Sequence, residues 1–200
     1  MQRRTRGLGG ILATMSRSTT TARLTYEDLL RLPDDDKRHE IIDGVHYVMS
    51  SPVLRHQRVV RRLGISIGNF VDATGRGEVF FVGVDVVLSP YDVVVPDLVF
   101  VSEERKHLLQ EKNIPGPPDL AAEVLSPSTR HKDRILKRRL FEREKVQEYW
   151  ILDPEKNTVR IHILGQAGYG EGVELSAAAG DVLVTPLLPG WSLALSTLFA

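Results

Sequence analysis

The chain has 200 residues, 42% of them hydrophobic and 26% charged, with 26 basic side chains balancing 26 acidic ones and no cysteine. That is an ordinary globular composition and one domain's worth of chain, able to bury a sizeable core without covalent staples. It excludes disulfides and thiolate metal ligands, is compatible with the cytoplasm, and argues against a generic nucleic-acid coat protein, which is usually strongly basic.

The first 26 residues, MQRRTRGLGGILATMSRSTTTARLTY, carry five arginines and no acid. A transit peptide can have that composition, but residues 1–23 are read as a disordered leader, or as a start placed too early with Met15 the true one. The fold is assigned to 24–200 as a single domain. Within it, LTYEDLLRLPD (24–34) predicts a short helix capped by Thr25 and ended by Pro33. RHEIIDGVHYVMSS predicts a hairpin turning at Asp43-Gly44. Residues 53–74 are helical, with Val59, Leu63, Ile67, Phe70 and Val71 recurring at three- and four-residue intervals. GEVFFVGVDVVLSP reads as a strand, or two with a bend at Gly83, and DVVVPDLVFVS as a central strand apolar on both faces. PDLAAEVLSP is a further strand, and STRHKDRILKRRLFEREK a long helix capped by Ser128 or Thr129. EYWILDPEKNTVRIHIL predicts a hairpin turning near Pro154–Asn157, and the tail alternates short β segments with Gly/Pro turns. The order α, β-hairpin, α, three β, α, two β predicts a mixed α/β fold, a central sheet flanked by helices with extra C-terminal strands. No run reaches the roughly 18–20 apolar residues of a membrane span.

Three residues carry a chemical signal. Asp97 stands in VVVPDLVFV and Glu123 in LAAEVL, both among apolar neighbours. A buried ionised carboxylate is expensive unless paired or metal-bound. Two on adjacent core strands repel each other, and a divalent cation resolves that; hard oxygen ligands suit Mg²⁺ or Mn²⁺. The competing reading is a pair of hydrogen-bonded acids at strand ends. At 100° per residue, Asp133, Leu136, Lys137, Leu140 and Glu144 share one helix face. Leu136 and Leu140 form its buried part, so Lys137 borders the core and its ammonium can reach a site at the sheet edge. Beside a metal it could orient water or stabilise charge on a phosphate; alternatively it is an exposed partner of Asp133.

The Pro-Asp strand followed by a strand bearing Glu123 resembles the PD-(D/E)XK pattern of restriction-endonuclease-like proteins, which would have lysine at position 125, where this chain has Leu125. The ordered set HEIIDGVHYVMSSP…H, VVVPDLVFV and AAEVLSPSTRHKDRILKRRLFEREKVQEYWILDP is more specific and resembles the Uma family, bacterial proteins of that nuclease-like fold. The resemblance runs from about Leu24 to the C-terminus. It implies that the lysine has migrated to the following helix, at Lys137. It also implies that Glu40 is the first acid of the site and joins Asp97 and Glu123 at the metal, and that His56 is a recurrent accessory histidine. The family commonly has an aromatic residue where His39 stands. Asp85, also on a strand, ranks below these as a supporting acid.

Arg55, Arg58, Arg61 and Arg62 cluster at helical spacing, as do Arg130, Lys132, Arg134, Arg138 and Arg139. Such runs are usually solvated faces; beside a metal site they could track a phosphate backbone. The reading is a Mg²⁺-dependent DNA endonuclease, a homodimer by analogy with enzymes that cut both strands. Its competitors are a catalytically idle nuclease-like module that binds nucleic acid or protein, and a hydrolase of some other phosphate ester.

Overall fold

A computed structural model describes residues 23–33, 35, 37–49, 51–81 and 83–200. The expectations for the leader lie outside these residues. Helix α1 (Tyr26–Leu29) is capped by Thr25, whose side chain and that of Asp28 exchange bonds with each other's backbone. Strands β1 (Arg38–Ile42) and β2 (Val45–Met49) form the expected hairpin. Asp43 and Gly44 turn it with φ of 53° and 78°, the pair of positive values that a two-residue turn requires. Helix α2 (Leu54–Thr74) follows and ends at Gly75 in the left-handed conformation.

Next come β3 (Gly77–Phe80), β4 (Asp85–Ser89), β5 (Asp92–Val94) and β6 (Leu98–Ser102). Here the structure corrects one expectation. DVVVPDLVFVS is not a single strand but β5 and β6, which belong to different sheets. Pro96 has no N–H for a ladder, so the pairing breaks there and the chain crosses from one sheet to the other. A short 3₁₀ turn, β7 (Asn113–Pro115) and β8 (Leu120–Val124) lead to the helical segment. That segment is not uniformly α. Lys132–Lys137 is wound as a π-helix that runs directly into α3 (Arg138–Arg143). Strands β9 (Glu148–Asp153), β10 (Thr158–Ile163), β11 (Val173–Ser176), β12 (Val182–Leu183) and β13 (Leu193–Ala194), with helix α4 (Leu195–Leu198), complete the fold.

The strands form a five-stranded sheet, β2-β1-β5-β4-β7, a six-stranded sheet, β11-β10-β9-β8-β6-β3, and the pair β12-β13. Most neighbours are antiparallel; β8/β9 and β4/β7 are parallel. The six-stranded sheet is covered on both faces, as its apolar strands require. Side chains alternate across it. Leu98, Phe100, Leu120, Ala122 and Trp150 pack with α2 and the C-terminal elements. Val99, Val101, Ala121, Tyr149 and Ile151 pack toward the smaller sheet with Leu140 and Phe141 of α3. Asp97 and Glu123 have the parity of this second set. They therefore project into the space between the two sheets.

Candidate active site

The register pair Leu98↔Ala122, extended by one residue, sets Asp97 across from Glu123. Both are nearly buried, at 7% and 4% exposed. Asp97 Oδ2 accepts from the Val124 amide and lies 2.9 Å from His56 Nε2; Oδ1 receives a long contact from Arg38 at 3.4 Å. Burial works against the Asp97 carboxylate, but the bond and charge of His56 and the Val124 amide outweigh it and hold its pKa below the ordinary value. His56, from the first turn of α2, is itself buried, and its Nδ1 has no hydrogen-bond partner among the described residues.

Glu40 arrives from β1 of the other sheet and is fully buried. Its Oε1 accepts from the Val95 amide at 3.0 Å and from Lys137 at 2.6 Å, and its Oε2 from Lys132 at 2.5 Å. Burial opposes its charge, yet the two ammonium groups hold its pKa down. Lys137 is fully buried, 2.5 Å from Glu123 Oε1 and 3.9 Å from Asp133 Oδ1. Burial works against the ammonium, and the three carboxylates around it overcome that and keep it charged. Glu123 goes the other way. Burial, reinforced by Asp133, Asp97 and Glu40, overcomes Lys137 and pushes its carboxyl well above the usual range.

Carboxylates also outnumber ammonium groups in this cluster. Four buried carboxylates, Glu40, Asp97, Glu123 and Asp133, face two buried ammonium groups, with Arg38 reaching in from a partly exposed position. Beside them is a cavity of about 30 Å³, lined by Asp97, Glu123, Asp133, His56 and Arg38 among others. That is room for about one water or one ion. Asp133 Oδ1 is buried there without a hydrogen bond among the described residues. Among the described residues no three His, Asp or Glu side chains are grouped so as to enclose a metal by themselves. The donor set nonetheless suits Mg²⁺, which typically takes one or two carboxylates and completes its shell with water and substrate phosphate.

Of the residues singled out in the sequence, Asp97, Glu123, Lys137, Glu40 and His56 are brought together. Asp85 is not. It accepts from the Tyr26 hydroxyl at 3.2 Å and lines a separate cleft beside α1. Lys132 is corrected in its place: it is buried against Glu40 and the Met49 sulfur rather than offered to solvent. A π turn bonds i to i+5 and so aligns residues five apart, which brings Lys132 and Lys137 to the same glutamate. The second basic stripe is largely neutralised. Arg130 pairs with Asp153 and Glu155, Arg134 with Asp153, and Arg138 with Glu142. On α2, Arg58 and Arg61 are exposed, Arg55 donates to Asn157, and Arg62 donates to the backbone of Leu198 and Ala200. Sequence reasoning missed Arg38, although strand alternation puts it on the face of Glu40.

Lys137 and four acids, Glu40, Asp97, Glu123 and Asp133, are thus buried together between the two sheets. A model of the Uma2 family, described as "Putative restriction endonuclease", matches residues 26–196, and the chain belongs to that family. The chain is also similar to a solved structure from Anabaena variabilis ATCC 29413, described as "a putative nuclease belonging to DUF820". The TM-score is 0.75 at 19% identity, over 88% of this chain and 97% of the other. At that identity the likeness is one of fold. No curated protein matches the chain.

Proposed function

We propose that the protein is a divalent-metal-dependent phosphodiesterase acting on DNA, with Asp97 and Glu123 as the residues that would hold Mg²⁺ or Mn²⁺. The observation that carries the reading is geometric: two nearly buried carboxylates from neighbouring strands face one ion-sized cavity. A bound divalent ion supplies Lewis acidity toward a phosphate oxygen and the attacking water. His56 holds Asp97 in place through its Nε2. Lys137 is a positioning residue, since it does not line the cavity and its ammonium is committed to Glu123 and Glu40. Glu40 anchors both lysines. Arg38, at the rim, is the cation best placed to meet a phosphate. The reading implies a cytoplasmic enzyme, and two copies wherever both strands are cut.

Calorimetric titration of Mn²⁺ into the wild type and into Asp97→Asn/Glu123→Gln tests it. Binding to the wild type, weakened at least about tenfold in the double variant (about 1.4 kcal/mol), is expected. Equal binding by the two folded proteins would remove these residues from the metal site. Absence of binding and of Mn²⁺-dependent cleavage in the wild type would favour a non-catalytic module.

A further inference from the structure

The cavity at Asp97 and Glu123 does not stand alone. Met49 and Thr129 line it, and the same two residues line a second cleft of about 330 Å³ between β2 and the start of the π segment, so the two adjoin across a shared wall. The cavity holds about one ion or phosphate oxygen, so the rest of a substrate must lie in a neighbouring space. The cleft lies at the lower end of the size range of small-ligand pockets. Its wall is apolar, from Val48 and Leu136 with the ring of Tyr47, and its polar side carries His131 and Lys132. The Lys132 ammonium, paired with Glu40, stands 5.6 Å from the Tyr47 ring centre.

We propose that this cleft takes one nucleotide unit of an unpaired DNA strand, adjoining the phosphate at the cavity. The inference rests on the phosphodiesterase reading above and names its substrate class. Two further observations favour an unpaired strand over a duplex. Asp97 and Glu123 are only 7% and 4% exposed, so the scissile phosphate must bend inward to reach them. A duplex is stiff over about 150 base pairs, whereas an unpaired strand bends freely. The second is charge. Duplex binding draws on many phosphate contacts, yet Arg130, Arg134 and Arg138 are paired with carboxylates and the chain's formal net charge is zero. An apolar wall with an aromatic ring beside a few polar groups instead fits a base and one or two phosphates.

The test uses a short fluorescent deoxyoligonucleotide, unpaired or annealed to its complement, and Asp97→Asn protein so that binding is read without turnover. Anisotropy is expected to show at least about tenfold tighter binding of the unpaired strand. The log–log salt slope should lie between about −0.7 and −1.4, as for one or two phosphate contacts on a single strand. Val48→Asp and His131→Glu, both at exposed positions, should each weaken that binding about tenfold with melting temperatures unchanged. Preference for the duplex, tighter binding of the matching RNA, or folded cleft variants that bind as before would each overturn the assignment. Cleavage is read separately with Mn²⁺ and wild-type protein. Cleft-dependent binding without cleavage sinks the hydrolase and leaves the cleft as a strand-binding site. Cleavage that favours duplex sinks the cleft assignment and leaves the hydrolase.

Discussion

Lys137 has no contact with solvent, so the groups around it decide its charge and its worth. Glu123, Glu40 and Asp133 all lean on that one ammonium. Breaking a buried pair by removing one partner typically costs about 3–5 kcal/mol, because the remaining charge stays buried and uncompensated. Lys137→Met should therefore unfold at much lower urea, with a loss in that range. Adding Glu123→Gln should recover about 1–3 kcal/mol of it, the coupling usual for residues in direct contact. A loss below about 1 kcal/mol for the single variant would show that the cluster is hydrated and its charges screened. The same geometry sets a condition on any activity measurement: a Lys137 variant that fails to cleave is informative only when its fold and metal binding are intact. Asp97 and Glu123 were legible in the sequence because each is an acid inside an apolar strand, whereas Glu40, in RHEII, came only from the family resemblance. The burial of Lys137 was legible only in part: helical spacing placed it beside Leu136 and Leu140, but not beneath them.

The elements hold those side chains in register, and the π segment is the one that sequence periodicity does not reveal. At 100° per residue, Lys132 and Lys137 stand about 140° apart and cannot meet one carboxylate. The π turn aligns them, and both reach Glu40. A π segment is equivalent to an α-helix with one residue too many. Ile135 lies inside it and is 39% exposed. Deleting Ile135 should rewind the segment to α and leave the two lysines four apart, still on one face. The expected cost is below about 1.5 kcal/mol. Lys132→Met, which strips one oxygen of buried Glu40 of its only described partner, should cost about 2–3 kcal/mol. Urea denaturation of both variants ranks them; a deletion costlier than Lys132→Met would mean that the π geometry itself is required. The strand break at Pro96 was missed, although proline's missing donor argues against a continuous central strand. The separation of β5 and β6 into two sheets was not readable, because it depends on what Val93 and Val99 pair with far along the chain.

At the scale of the whole molecule, the two sheets and α3 enclose more than the site, and the pH dependence of stability reports on that enclosure. His162 on β10 is buried, stacked on Tyr149 at 6.3 Å between ring centres and tilted against Tyr169 at 5.8 Å, and its Nδ1 lacks a hydrogen bond among the described residues. Burial first, then the charges of Arg138 and Arg160, hold its pKa down to about 4. In the unfolded chain the imidazole takes its proton near 6.5. Between those values the unfolded state binds more protons, so this contribution is fully present above about 6.5 and is lost as pH falls toward 4, up to about 3 kcal/mol in all. Glu123 acts oppositely. Its raised carboxyl makes the folded state the better proton binder above the ordinary glutamate value, so its term strengthens on acidification. A wild-type profile mixes the two, and the difference between wild type and His162→Phe separates them because Glu123 is common to both. Urea midpoints taken from pH 7.5 to 4.5 should show wild type losing about 2–3 kcal/mol relative to His162→Phe, most of it below pH 6.5. Parallel profiles would mean that His162 is protonated as easily folded as unfolded, and that the Tyr149–His162–Tyr169 stack is open to water.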